Sequence, residues 1–539
     1  MTNECLEAPE KPPIEVVSVV RTDRYQIPLR TAAWITMLET VVLAALYAIL
    51  GTPARLDRSV LDYAAANAGS FASDMFFHGI GVCVAALATY AAVHIFDLQR
   101  FEPPLDFPLH YRAWTAAGLA GIGSLFYLNS ALNAWATNLG LVFLLGGFLM
   151  ILDAGGALFW EMWLLPAKCD GSYDWNANYL YRMLPLTRAR LRSFLHSDVS
   201  WWLGMASITG ALVAGVMGFV LLWVNYLGVG FLVGWVSYFG FPDVATFTLG
   251  LVDPHSHLMA VALLGGLMAL VAIRFRVLDA SVGWRKRLAQ GGLWLAWVGV
   301  LYALVIQTAS AAFNYAIPAL VVTDPASGTG FMADDAGMAF VGYGAMALLL
   351  PLALATYHGK SSYRDPVRLA MLGTAISAFL INVVNGFWIS FNENLFQNGL
   401  SANDTAHAMI HPFSFFAMGG LAVSLLIVDY YQVGGTLRNV IGALSGVGVM
   451  VATVGAYLWT FVHPSPQGWA ADVFVAGLAL VGAGVLFATW GISRARTVAI
   501  RRVVPASGPG VGEVYEEVEP GPTRPQGAVS GESIGGFPT

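Results

Sequence analysis

Of ten histidines in the chain, five stand in three otherwise apolar stretches: His78, the pair His255 and His257, and the pair His407 and His411. An ionisable side chain inside an apolar run is costly and by default marks a function. Lysine or arginine would stay charged there, whereas imidazole can shed its proton and offer a ring nitrogen to a metal. Neutral imidazole suits haem iron, so the chemistry these positions point to is the holding of haem. Spacing adds detail. His255 and His257 are two apart, roughly 200° around a helix, and face opposite neighbours, while His407 and His411 are four apart and share one face. One helix can thus serve two planar cofactors on opposite sides, or one cofactor while its other histidine bonds to the backbone. Alternatively each histidine hydrogen-bonds across helices and no cofactor is present, as in many membrane bundles.

The elements that must carry these residues are membrane helices. The 539 residues are 57% hydrophobic and 11% charged, against about 25% charged in ordinary soluble domains, so no soluble core could hide the apolar surface. Apolar runs near the roughly 20 residues needed to cross a bilayer predict about twelve spans: 31–51, 74–97, 112–134, 137–165, 199–227, 255–275, 290–313, 335–358, 366–391, 404–430, 438–462 and 469–493. The fold class is therefore all-α and integral to the membrane. A tail of 1–30 precedes the twelve-helix domain of 31–495, and the tail of 496–539, rich in Gly, Pro and Glu, is expected to lack regular structure. The first run ends in Gly-Thr-Pro with no small-residue cleavage signature and reads as a true span.

Charge placement tests the spans independently, because Lys and Arg crowd cytoplasmic loops. Arg100, the group from Lys168 to Arg192, the group from Arg274 to Arg287, then Lys360, Arg364, Arg368 and Arg438 all fall on one side, with the basic residues around Arg24 and Arg494 in the tails. Of 27 basic residues only Arg55 and Arg58 fall in the opposite loops. Both termini are thus expected inside a multi-pass inner (plasma) membrane protein. The balance suggests no nucleic-acid partner, and Cys5, Cys83 and Cys169 suggest no disulfide framework.

The histidine stretches repeat. Asp74 precedes His78 by four residues, Asp253 precedes His257 by four, and Asp404 precedes His411 by seven. Gly265-Gly266 and Gly419-Gly420 each follow at eight residues, and span eight opens with Asp334 but has Met338 in the histidine position. The preceding odd spans end in asparagines, Asn129 and Asn133, Asn225, Asn314, and Asn382 and Asn385. This pattern predicts pseudo-symmetric four-helix repeats. All even spans run inward in this topology, so the five histidines share one shallow depth.

Other residues carry weaker signals. Gly79, Gly265, Gly266, Gly419 and Gly420 leave room for a flat macrocycle or, more simply, for close helix packing. Asp153, mid-span, and Glu161 suggest a proton path or, equally, protonated carboxyls bonded inside the bundle. Gln307 reads as an interhelical hydrogen bond. His94 and His358 read as interfacial, His110 and His196 as loop residues, and His463 as near enough in depth to join the cluster. Trp201, Trp202, Trp223, Trp235, Trp388 and Trp469 read as an aromatic belt.

Asp404-Thr405, then His411, with Met418-Gly419 seven and eight residues on, resembles the tenth helix of the catalytic subunit of haem-copper oxidases and nitric oxide reductases. The span count and a histidine opening the second helix agree with a haem-copper-oxidase-like bundle. The resemblance implies that His78 and His411 ligate haem iron, with His257 as a further candidate iron ligand. It covers the topology of nearly the whole chain, but its motifs are confined to spans two, six and ten. Three departures stand out. Phe413 occupies the position of the family's second tenth-helix histidine, the region 290–334 lacks the histidine pair that helps hold the second metal, and Met259 and Val261 stand where a tyrosine is expected. Copper or non-haem iron needs about three well-aimed ligands, so copper is not expected. No Cys-x-x-Cys-His occurs, so one or two non-covalent b-type haems are.

The expected function is electron transfer, or redox chemistry on a small gas such as nitric oxide or oxygen. Expected partners are other respiratory-complex subunits and a periplasmic electron carrier or quinol. A twelve-helix secondary transporter shares the span count and internal repeats, and a cofactor-free structural subunit of a membrane complex is the third possibility.

Overall fold

The structure, a computed structural model, describes residues 14–15, 20–21, 26–51, 68–96, 98, 109–127, 134–169, 197–223, 244–313, 333–358, 365–384, 402–465, 468–495, 499–505 and 514–518, with side chains for all but some turns of these segments. Twelve long helices occur among them: α1 (Gln26–Gly51), α2 (Ala68–Ile95), α3 (Leu109–Tyr127), α4 (Ala134–Cys169), α5 (Val199–Leu222), α6 (Val244–Arg274), α7 (Trp284–Phe313), α8 (Ala333–His358), α9 (Pro366–Ala378), α10 (Ala402–Tyr430), α11 (Gly435–Phe461) and α12 (Trp469–Arg494). α9 continues as a π-helical turn, Phe379–Val384. Eight helices are long and apolar enough to cross a membrane, α1, α2, α4, α5, α6, α7, α11 and α12, and α8, α9 and α10 hold shorter apolar stretches. The helices between Pro28 and Ala495 form an all-α unit of the multi-pass membrane kind.

Packing follows an interval of four helices. The closest hairpins are α3 with α4, α7 with α8 and α11 with α12, while α2, α6 and α10, the three histidine-bearing helices, touch one another. Small residues close each hairpin, as expected where lipid gives helices no hydrophobic reason to associate. A Cβ on Gly147 would come within 3.0 Å of the Ala120 nitrogen, one on Gly344 within 2.5 Å of the Gly292 oxygen, and one on Gly477 within 2.2 Å of the Ala452 nitrogen.

α6 begins about three turns before residue 255, with Pro254 inside it. Proline lacks an N–H and reads as a helix start, yet in a membrane bundle neighbouring groups re-satisfy the freed carbonyl. In consequence His255 lies eleven residues into α6 and His78 ten residues into α2, so both stand at one level, about 15 Å from their helix starts by helical rise.

At the other end of α6 an arginine–aspartate cluster ties four elements together. Asp429 of α10, only 4% exposed, accepts from Arg274 Nε at 2.7 Å, Arg368 Nε at 3.2 Å and an Arg438 terminal nitrogen at 2.6 Å. Arg438 also binds Asp365, whose carboxylate caps α9 by accepting from the Val367 nitrogen at 3.0 Å. Burying that many charges is tolerable only because each is paired and bonded.

Residues 8–27 and 496–539 form a separate small unit. It contains strands β1 (Ile14–Glu15), β2 (Val20–Arg21), β3 (Ala499–Pro505) and β4 (Val514–Val518), with β3 pairing antiparallel to the other three. β3 and β4 lie in the tail for which the sequence shows no helical periodicity. Their signal is of another kind, the β-branched Ile500, Val503, Val504, Val514 and Val518 in short runs bounded by Gly and Pro.

Candidate functional site

His78 on α2 and His255 on α6 face each other, with ring centres 6.2 Å apart and planes within 15°. That separation lies within the roughly 4.5–7 Å of offset ring pairs, and it has a second reading. Two imidazoles on opposite sides of one metal, each about 2 Å from it through nitrogen and about 1.1 Å from nitrogen to ring centre, have centres roughly 6 Å apart.

α5 fixes the orientation of His255. The ring lies against Gly218, where a Cβ would come within 2.6 Å of its Cε1 atom. One turn earlier on the same helix, the Ala214 carbonyl lies 2.7 Å from His255 Nδ1. A carbonyl can only accept, so Nδ1 donates to it and Nε2 is the nitrogen turned away from α5. A backbone carbonyl holding Nδ1–H is the arrangement that sets tautomer and ring direction in metal-ligating histidines. His78 is half-buried and meets the Phe148 ring of α4 edge-on at 6.0 Å. The pair thus offers two imidazole rings on facing helices, one of them held by a backbone carbonyl, the donor type that haem iron takes.

His257 leaves α6 on the side away from His78, since two residues turn a helix by about 200°. The side chains of His407 and His411, like those of Asp74, Asp253, Asp334 and Asp404, lie outside the described residues, as do the asparagine side chains at the ends of the odd spans. The resemblance pairs His78 with His411, whereas among the described residues the partner of His78 is His255. Among the described residues no three His, Cys, Asp or Glu side chains converge in a way that holds a metal ion.

The glycines beside the histidines serve packing. A Cβ on Gly79 would meet Ser124 Oγ at 1.8 Å, one on Gly265 would meet Ser207 Oγ at 2.8 Å, and those on Gly419 and Gly420 would meet Leu263 and Val84 at 3.2 and 3.3 Å. The glycine that makes room for a site histidine is Gly218, which no spacing relative to His255 reveals. Only the register of α5 on α6 brings them together.

Asp153 is exposed on α4 and ion-paired with Arg112 of α3, and Glu161 is buried near the end of α4. His94, read as interfacial, is instead 4% exposed; its Nε2 lies 3.0 Å from Tyr431 OH and its ring stacks on Tyr430 at 4.0 Å. His110 is buried too, and desolvation lowers it to about 4, so it is neutral at pH 7. His463 is exposed beside Trp469. Trp201 leaves the expected belt: it is 1% exposed and donates to the Met162 carbonyl at 2.8 Å. Its neighbours on α2 and α4 leave it no path to the interface.

No family model matches the chain, and no curated protein matches it.

Proposed function

We propose that the chain is a membrane haem protein in which His78 and His255 hold one b-type haem between α2 and α6. The observation that carries this reading is the facing pair of near-parallel imidazoles at 6.2 Å, one of them anchored through Nδ1 to Ala214. When bound, the haem supplies a one-electron couple within the bilayer. The protein's part is placement. Ala214 keeps the His255 proton on Nδ1, Gly218 lets the ring lie close to α5, Phe148 borders His78, and the surrounding helices keep water from the ligands. His78 and His255 would hold the group, and the chemistry it would supply there is electron transfer. His257, His407 and His411 remain for a second haem.

In this reading all twelve helices cross the inner membrane with both termini in the cytoplasm, and the interval-of-four packing reflects a threefold repeat of four-helix units. Electrons arrive from a quinol or a periplasmic carrier and leave to another subunit of a respiratory complex. The test is to purify the full chain in detergent, count haem by pyridine haemochrome and record the reduced-minus-oxidised spectrum. His78→Ala and His255→Ala should each abolish the same sharp low-spin alpha band. A folded, haem-free wild-type protein would overturn the proposal and bring transport or a structural role forward.

A further inference from the structure

Glu39 sits inside the apolar stretch Pro28–Leu46 of α1. An ionisable group at that depth is expensive and seeks a partner, yet Glu39 forms no ion pair among the described residues. Instead α3 is notched to receive it: a Cβ on Gly121 would lie 1.7 Å from Glu39 Oε1 and 2.8 Å from Cδ. On α2 Cys83 is fully buried. Charging a carboxyl in an apolar setting without a cation is costly.

A line of polar groups leads from it toward the arginine–aspartate cluster. Thr40 donates to the Thr36 carbonyl at 2.7 Å, and Thr36 Oγ1 lies 3.4 Å from Tyr90 OH, both residues being fully buried. Cys83, Tyr90 and His94 fall within about 40° of one another around α2, so one face of that helix carries all three. His94 then meets Tyr431, two residues beyond Asp429. The hydrogen-bonded links are Thr36 with Tyr90 and His94 with Tyr431; Tyr90 and His94 stand about one turn, roughly 6 Å, apart along α2, and each of these four side chains is of a type that can donate and accept, none being a fixed cation. Along α2 the line covers about 16 Å from Cys83 to His94.

We propose that Glu39 is a proton-exchanging acid of the membrane interior, reached from the Asp429 end of the bundle through Tyr431, His94, Tyr90 and Thr36. A proton taken from water at that end passes along the line, each group gaining one proton and releasing one, and comes to rest on the Glu39 carboxylate; no electron moves. The inference does not depend on haem, since neither His78 nor His255 belongs to the line.

Infrared difference spectroscopy of the full chain in lipid nanodiscs, on transfer from water to deuterium oxide, tests it without any redox assay. The expected result is a protonated-carboxyl band that shifts on deuteration, vanishes in Glu39→Gln and moves in Glu39→Asp. Tyr90→Phe and His94→Gln should keep the band but slow its exchange by roughly a hundredfold, the lower end of what a positioned proton-transfer group contributes. If Glu39→Gln fails to fold, the last two variants still decide the matter. Absence of a band assignable to Glu39, or exchange at the wild-type rate in both variants, would overturn the proposal.

Discussion

Whether a buried histidine is a ligand or a packing residue turns on its unprotonated nitrogen. For His255 that atom is Nε2, because the Ala214 carbonyl takes the Nδ1 proton, and the ring can approach α5 only because position 218 has no side chain. Gly218→Ala should therefore act on the ligand geometry before it acts on the fold. A Cβ set 2.6 Å from Cε1 forces the ring away, and displacements of this kind cost about 1–3 kcal/mol. The expected outcome is an alpha band that is weakened and broadened in a protein whose helix content by circular dichroism is unchanged. An unaltered band would mean that His255 holds nothing. None of this was legible from the histidines alone. Their type and apolar setting mark them in the sequence, but Gly218 and His255 lie far apart in the chain, and only helix register makes them neighbours.

Helices were the legible level, and the reason is physical. Apolar length and the exclusion of Lys and Arg from alternate loops both act on whole spans, so an error of a few residues does not disturb them. Where the reading departs from the structure, a local signal was outweighed by packing. Pro254 suggests a start, and α6 runs through it; Trp201 suggests an interface, and it is buried against Met162; His94 does lie in the last turn of α2, but enclosed by Tyr430 and Tyr431. Helix pairing follows from small residues, and here a prediction can be sharp. In Gly477→Ala the new methyl would lie 2.2 Å from the Ala452 nitrogen, so α11 and α12 must separate along a face where neither backbone can yield. The variant should lose about 1–3 kcal/mol of stability, read as a lowered melting temperature in detergent, whereas Gly482→Ala, whose nearest neighbour is a Val41 methyl at 3.9 Å, should melt like the wild type.

At the scale of the whole molecule the histidine level and the charge cluster are separated along α6, His255 about a third of the way along it and Arg274 at its last residue. The cluster gathers Arg274, Arg368 and Arg438 on Asp429, and these arginines belong to the loops and helix ends that the positive charge bias assigns to the cytoplasm. In the proposed orientation the Asp429 end of the bundle faces the cytoplasm, and the histidine pair would be served from the other side. The same bias makes the orientation testable, since twelve crossings return the chain to the side on which it began. A fluorescent protein fused after Thr539 should fluoresce, because it folds only inside the cell, and alkaline phosphatase fused within 314–334 should be active, because it matures only outside. Phosphatase activity at both sites would mean an even number of crossings beyond 314–334 instead of five, whereas activity after Thr539 with inactivity within 314–334 would invert the bundle and move the Glu39 line to the outer face.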